Sequence, residues 1–200
     1  MMNNYTKIIR DNLQRIYQRR SQDLAEALPA VQNNDRFVFK AFGERCEITP
    51  NDISVKGRPE TGVPGILISL YALHVRPGPQ ILQPLQSFKD FPNCMPYVSA
   101  FTTHTESILL PHVIQIETAR DRILQVLDGE DAADVGSGDV SFLVRPLPKI
   151  SLCYIIYHAD EDFPASVTCL FSNNALDFMP IDGLADVGEY TSKKILELIC

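Results

Sequence analysis

The sequence predicts an α+β fold: one antiparallel sheet with about four helices packed on it, in a single domain. Three observations carry this. Strand-like runs come in antiparallel-looking groups and do not alternate one-for-one with helices. Apolar residues fall at helical spacing near both ends of the chain. No internal repeat and no clear linker divides the 200 residues, a length that suits one domain with a sizeable core.

Residues 4–28 read as an amphipathic helix, which can stand peripheral to the body. Tyr5, Ile8, Ile9, Leu13, Ile16, Leu24 and Leu28 recur at three- and four-residue steps, and Pro29 ends the run. From Phe37 to Thr49, Phe37, Phe39 and Ala41 alternate with other residues, Gly43-Glu44 supplies a turn, and Cys46 and Ile48 alternate on the return. That is a hairpin. Residues 56–65 hold three glycines and two prolines and read as a loop. Ile66–Val75 is apolar nearly all round, with Leu and Ala favouring a buried helix.

Residues 76–96 contain Pro77, Pro79, Pro84, Pro92 and Pro96. They read as an irregular crossing segment with a short strand near Leu85–Phe91, either functional or clamped to the core. From Ser107 to Asp128 helical spacing returns. Pro111 either starts that helix or kinks it. Residues 128–139 form an acidic loop. Val140–Arg145, Ile150–Tyr157 and Val167–Phe171 read as strands. Asp182–Leu198 closes the chain as a helix, with Asp182 as its expected N-cap.

The composition is that of an ordinary soluble globular chain: 45% hydrophobic, 22% charged, mean hydropathy −0.04. Charge is skewed. The net is −7, yet the first 20 residues hold five basic residues against Asp11. The stretch from Glu117 to the end holds 15 acidic and 6 basic residues, a net of −9. An acidic balance argues against nucleic acid, which requires clustered cations. The basic N-terminal helix reads as a solvated face or a docking face for an acidic partner. No run of 18 apolar residues occurs, so no membrane span is expected. The N-terminus lacks an apolar signal region, and the five cysteines are odd in number and widely spaced. Both point to a cytoplasmic protein with reduced thiols. Cys153 and Cys169, in apolar stretches, read as core residues.

Phosphate-loop, HExxH and G-x-S-x-G motifs are absent. Gly136-Ser137-Gly138 precedes a strand-like run, not a helix, and reads as a turn. His74, His104, His112 and His158 have no zinc-ligand spacing. His74 reads as a core or helix-end residue. If Pro111 merely kinks a helix, His104 and His112 share one face about 12 Å apart, too far to share one metal ion. Either remains a single-ligand candidate. Cys94, between Pro92 and Pro96, is the candidate nucleophile if a histidine such as His104 approaches it; otherwise it is an inert loop thiol. Asp160, Glu161 and Asp162 are candidate ligands for a hard cation, or a solvated turn anchored to the core by Phe163-Pro164.

The stretch from Pro146 to Ile199 resembles the C-terminal signature of a bacterial and archaeal family, domain of unknown function 3786. Leu147, Pro148, Lys149, Asp160, Glu161, Asp162, Phe163, Pro164, Leu170, Phe171 and Pro180 carry the likeness. The Gly43 hairpin, the apolar helix Ile66–Val75 and the segment from Ser87-Phe88 to Phe101 are similar too. The family often has an aspartate where Ser172 stands, and glycines where Asn93-Cys94 stand. The resemblance carries over no catalytic residues. It implies an anaerobic context and, because some longer members appear joined to an iron–sulfur segment of the corrinoid-protein type, a link to corrinoid or other redox-cofactor metabolism. This chain lacks that cysteine-rich segment and is not expected to hold a cluster.

The leading expectation is therefore a cytoplasmic binding or accessory domain, its partner a protein or a bulky cofactor such as a tetrapyrrole. His104 or His112 would be the axial ligand, and the surface would be 76–104 with the Asp160–Pro164 turn. The alternatives are a small enzyme using Cys94 with a histidine or a metal at Asp160–Asp162, and a structural interaction module.

Overall fold

The computed structural model describes residues 4–18, 21–133 and 138–199. The helix expected over 4–28 is present as two segments, α1 (Asn4–Gln18) and α2 (Ser21–Ala27). Arg19 and Arg20 lie outside the described residues. Ile9, Leu13 and Ile16 are buried where α1 packs on the helix α3 (Val63–His74). The Asn12 amide donates to Ser69 Oγ at 3.0 Å across that contact. Lys7, Arg10 and Arg15 point to solvent.

The first sheet is an antiparallel meander of β1 (Val31–Asn33), β2 (Arg36–Ala41), β3 (Glu44–Ile48), β4 (Ile53–Val55) and β5 (Arg58–Pro59). The expected alternation holds: Phe37, Phe39, Ala41, Cys46 and Ile48 are all buried. The loop expected at 56–65 includes a second tight hairpin, because Lys56 and Gly57 both adopt positive φ and let β5 fold back on β4. Helix α3 is buried on most of its surface, as its composition requires, and ends on the exposed His74.

The proline-rich segment crosses the outer face of a second sheet and is clamped there. Asn174 accepts the Ile81 N–H at 2.8 Å and donates to the Pro79 carbonyl at 3.1 Å. Asn173 donates to the Pro84 carbonyl at 2.9 Å. Leu82 and Leu85 cover Leu143 and Cys153. The short strand expected there is β6 (Gln86–Ser87), followed by a 3-10 turn over Phe88–Asp90.

The next helical stretch differs from its expected form. It begins earlier, with α4 (Val98–Phe101), and runs through a π-helix (Thr102–Glu106) and a 3-10 turn (Ser107–His112) into α5 (Val113–Thr118) and α6 (Arg120–Val126). Pro111 sits inside the 3-10 turn, where its missing N–H prevents a regular α-helix. Between α5 and α6 the Thr118 hydroxyl bonds back to the Ile114 carbonyl at 2.8 Å, a contact that bends helices.

The second sheet has the order β6-β10-β9-β8-β7, all neighbours antiparallel: β7 (Glu130–Asp131), β8 (Val140–Leu147), β9 (Ile150–Tyr157) and β10 (Ser166–Phe171). The α+β class thus holds, with two sheets where one was expected, because the first meander ends at β5 and the chain leaves it through α3. Gly136-Ser137, read as a turn, lie outside the described residues. Helix α7 (Ile181–Ile199) packs on α3 and on the π-helix, and its Ser192 reaches Tyr154 of β9. Asp182 is not its cap. The Leu184 N–H reaches the Pro180 carbonyl at 2.9 Å, so Pro180 is the N-cap and Asp182 lies within the first turn.

The two sheets meet at the β2–β3 turn. Phe42 and Gly43 both take positive φ, and the Phe42 N–H donates to the Pro146 carbonyl on β8 at 2.6 Å. The Phe42 ring meets Tyr190 of α7 edge-on, 4.6 Å between centroids. A Cβ on Gly43 would lie 2.1 Å from the Val126 carbonyl oxygen. Gly43→Ala should therefore cost about 3 kcal/mol, from left-handed strain plus a backbone clash, read as a lower urea midpoint. An unchanged midpoint would mean that the turn does not sit tightly against the end of α6.

Candidate functional site

The π-helix places a half-buried carboxylate at the edge of the second sheet. Thr102, Thr103 and Thr105 are β-branched and poor α-helix formers, and one extra residue is accommodated by a bond from the Ser107 N–H to the Thr102 carbonyl. That register turns Glu106 toward the edge of the second sheet. There the Cys169 N–H, beyond the reach of the two-residue strand β6, donates to Glu106 Oε1 at 3.0 Å. Thr102 lies beside the same carboxylate in the cleft wall. A carboxylate has about four acceptor positions, so the single backbone donor leaves it unsaturated.

A cleft of about 240 Å³ opens beside this group. Its walls are Phe88, Val98 and Phe101, with Lys89, Thr102 and Thr168 as polar neighbours of Glu106. Phe88 stacks on Phe101 at 4.2 Å and 7°, and Phe171 and Phe91 complete an aromatic support behind them. Burial pushes the Glu106 carboxyl above its ordinary value; the Cys169 hydrogen bond, the neighbouring Thr102 hydroxyl and the Lys89 ammonium oppose that shift. A half-buried, up-shifted carboxyl in a cleft marks a place built to meet another molecule.

The residues singled out by sequence have other positions. Cys94 is 3% exposed, and its thiol donates to the Lys89 carbonyl at 3.2 Å. It closes the loop that carries Lys89 and is a buried structural thiol. His104 lies on the solvent side of the π-helix, and His112 is half-buried at the end of the 3-10 turn. The π and 3-10 turns between them remove the continuous helix on which a shared face was reckoned. Neither histidine lines any of the five cavities described, so a flat macrocycle ligated by either would rest on open surface.

Asp160, Glu161 and Asp162 are exposed and form the β9–β10 turn. Asp160 Oδ1 accepts the N–H groups of Asp162 at 2.9 Å and Phe163 at 2.7 Å, a local cap. Phe163 does not anchor this turn in the core: it is 71% exposed, because that cap needs no apolar contact. Among the described residues no group of three or more His, Cys, Asp or Glu is placed to hold a metal ion, and no helix is long and apolar enough to cross a membrane. The largest of the five cavities, about 560 Å³ beside α2, has both of its cations paired: Lys40 with Asp128 at 3.2 Å, and Arg145 with Glu130 at 2.7 Å.

The expected surface at 76–104 does contribute Phe88, Lys89, Val98, Phe101 and Thr102. Glu106 and Thr168 were missed. The available signal was a lone carboxylate in a threonine-rich helical run, Thr-Thr-His-Thr-Glu. A family model covers residues 21–194, and the chain belongs to that family, described as a domain of unknown function (DUF3786). No curated protein and no solved structure matches it.

Two outcomes follow from this geometry. The folded state binds the Glu106 proton more tightly than the unfolded chain does. Its contribution is therefore full below the ordinary value of 4.5 and is lost as pH rises through the higher folded value. Glu106→Gln, always neutral, should melt about 2–4 °C above the parent at pH 7.5, with the difference closing below pH 4.5 in a thermal melt. Equal melting at pH 7.5 would contradict the burial argument. Separately, Cys46, Cys94, Cys153 and Cys169 are buried, and burial pushes the Cys46 thiol up to about 12 and Cys153 to about 11. Peptide mapping after iodoacetamide should show none of the four alkylated until urea unfolds the chain.

Proposed function

We propose that this chain is a cytoplasmic binding or accessory domain that holds a small organic molecule in the Glu106 cleft. The observation that carries the reading is the half-buried Glu106 carboxylate, with one backbone N–H donor and spare acceptor capacity, facing a cleft with apolar walls. The ligand that matches presents an N–H donor from a compact apolar body. At about 240 Å³ the cleft lies below the usual range for drug-sized ligands, so the occupant is a single ring or a small side chain. Binding is favoured over cysteine chemistry because the Cys94 thiol is spent on a backbone carbonyl. Four buried free thiols suit a reducing compartment.

The test is an amide-shift titration by NMR with benzylamine and benzamide. The expected result is a set of shifts confined to residues 87–89, 98–106 and 168–169, with a dissociation constant of about a millimolar, ordinary for a fragment of this size. Glu106→Gln should weaken benzylamine about tenfold, the worth of a charge-assisted hydrogen bond. Shifts elsewhere, or none with either probe, would overturn the reading.

A further inference from the structure

A second cleft, remote in sequence from the Glu106 site, lies between the tips of the two tight hairpins of the first sheet and α7. Its volume is about 300 Å³. The floor is apolar, made by Phe42, Val55, Ile68 and the ring of Tyr190. Five charged side chains stand around it: Lys56, Arg58 and Lys194 against Glu44 and Glu60.

Pairing decides which of these is available. Lys56 Nζ lies 2.7 Å from Glu44 Oε1. Lys194 Nζ lies 2.7 Å from Glu197 Oε2. Glu60 Oε1 accepts the Gly62 N–H at 2.7 Å, where the start of α3 favours a negative charge. Arg58 makes no ion pair among the described residues, and the Tyr190 hydroxyl makes no hydrogen bond among them. Burial first, then Glu197, Glu60 and Glu44, push the Tyr190 phenol up to about 12, so it stays protonated and donates. Its ring is held by the edge-on contact with Phe42. The cleft therefore offers a planar five-donor fork and one hydroxyl donor over an apolar floor.

We propose that this cleft binds a small organic anion, its carboxylate or phosphate-monoester group taken by Arg58 and Tyr190 and its apolar body laid on Phe42 and Ile68. Left-handed backbone at Phe42, Gly43, Lys56 and Gly57 brings the two hairpin tips to the cleft.

Amide-shift titrations of the full chain with benzoate, phenyl phosphate, inorganic phosphate and benzylamine separate the possibilities. The proposal expects benzoate or phenyl phosphate to move residues 41–44, 55–60 and 190–194, with residues 101–106 unmoved. Whichever of the two binds more tightly identifies the anion. Arg58→Gln should weaken binding about tenfold or more, and Tyr190→Phe about threefold, at unchanged melting temperature. Arg58 is exposed and unpaired, so its variant keeps the fold. Binding unaffected by Arg58→Gln would overturn the proposal. So would equal binding of benzylamine at these residues, a response to inorganic phosphate as strong as to phenyl phosphate, or no response to any probe.

Discussion

The carbonyl of Thr105 is the point on which the site and much of the core depend. The Ser192 hydroxyl of α7 donates to it at 2.7 Å, and Ser192 Oγ in turn lies 3.0 Å from the Tyr154 hydroxyl of β9. Ser192 has one proton, and the Thr105 carbonyl takes it. Tyr154 must then donate to Ser192, which leaves the Cys169 thiol to face the Tyr154 oxygen. One buried chain of bonds thus ties the π-helix, α7 and two central strands together. Breaking it would leave buried groups unpaired at about 1–3 kcal/mol each.

Close approach is the other half of that joint. A Cβ on Gly188 would lie 2.6 Å from the Phe101 ring and 3.0 Å from Thr105 Oγ1. Glycine there lets the π-helix sit directly on α7, and the Thr105 hydroxyl is left buried with no partner among the described residues. That group is an energetic cost retained at the site. With the π-helix pinned, Glu106 meets the Cys169 N–H and the cleft keeps its shape. At the other end of the core, the Phe42-Gly43 turn plays the matching part by locking the first sheet to β8 and α7.

Much of the fold was legible in the sequence because burial imposes periodicity. The Phe37–Ile48 hairpin, the all-round apolar α3, the three strands from Val140 to Phe171 and the last helix all follow from it. What was not legible follows from contacts between distant residues. Nothing local says that Lys56-Gly57 folds β5 back, or that Asn173 and Asn174 clamp residues 79–84. The π-helix is seated by Ser192 and Gly188, more than 80 residues away, which meet Thr105. Candidate residues chosen by chemical type alone suffered most. Cys94 and Asp160 are spent on local backbone bonds, whereas Glu106 acquires its character only from its surroundings at the sheet edge.

The central claim is that those surroundings make Glu106 a half-buried, unsaturated carboxyl. Side-chain carboxyl carbon NMR over a pH series, with Glu106 assigned by its loss in Glu106→Gln, measures this directly. The account predicts that Glu106 titrates above the ordinary 4.5 and that benzylamine lowers its midpoint by pairing with the ionised form. Titration at or below 4.5, unmoved by the amine, would contradict it.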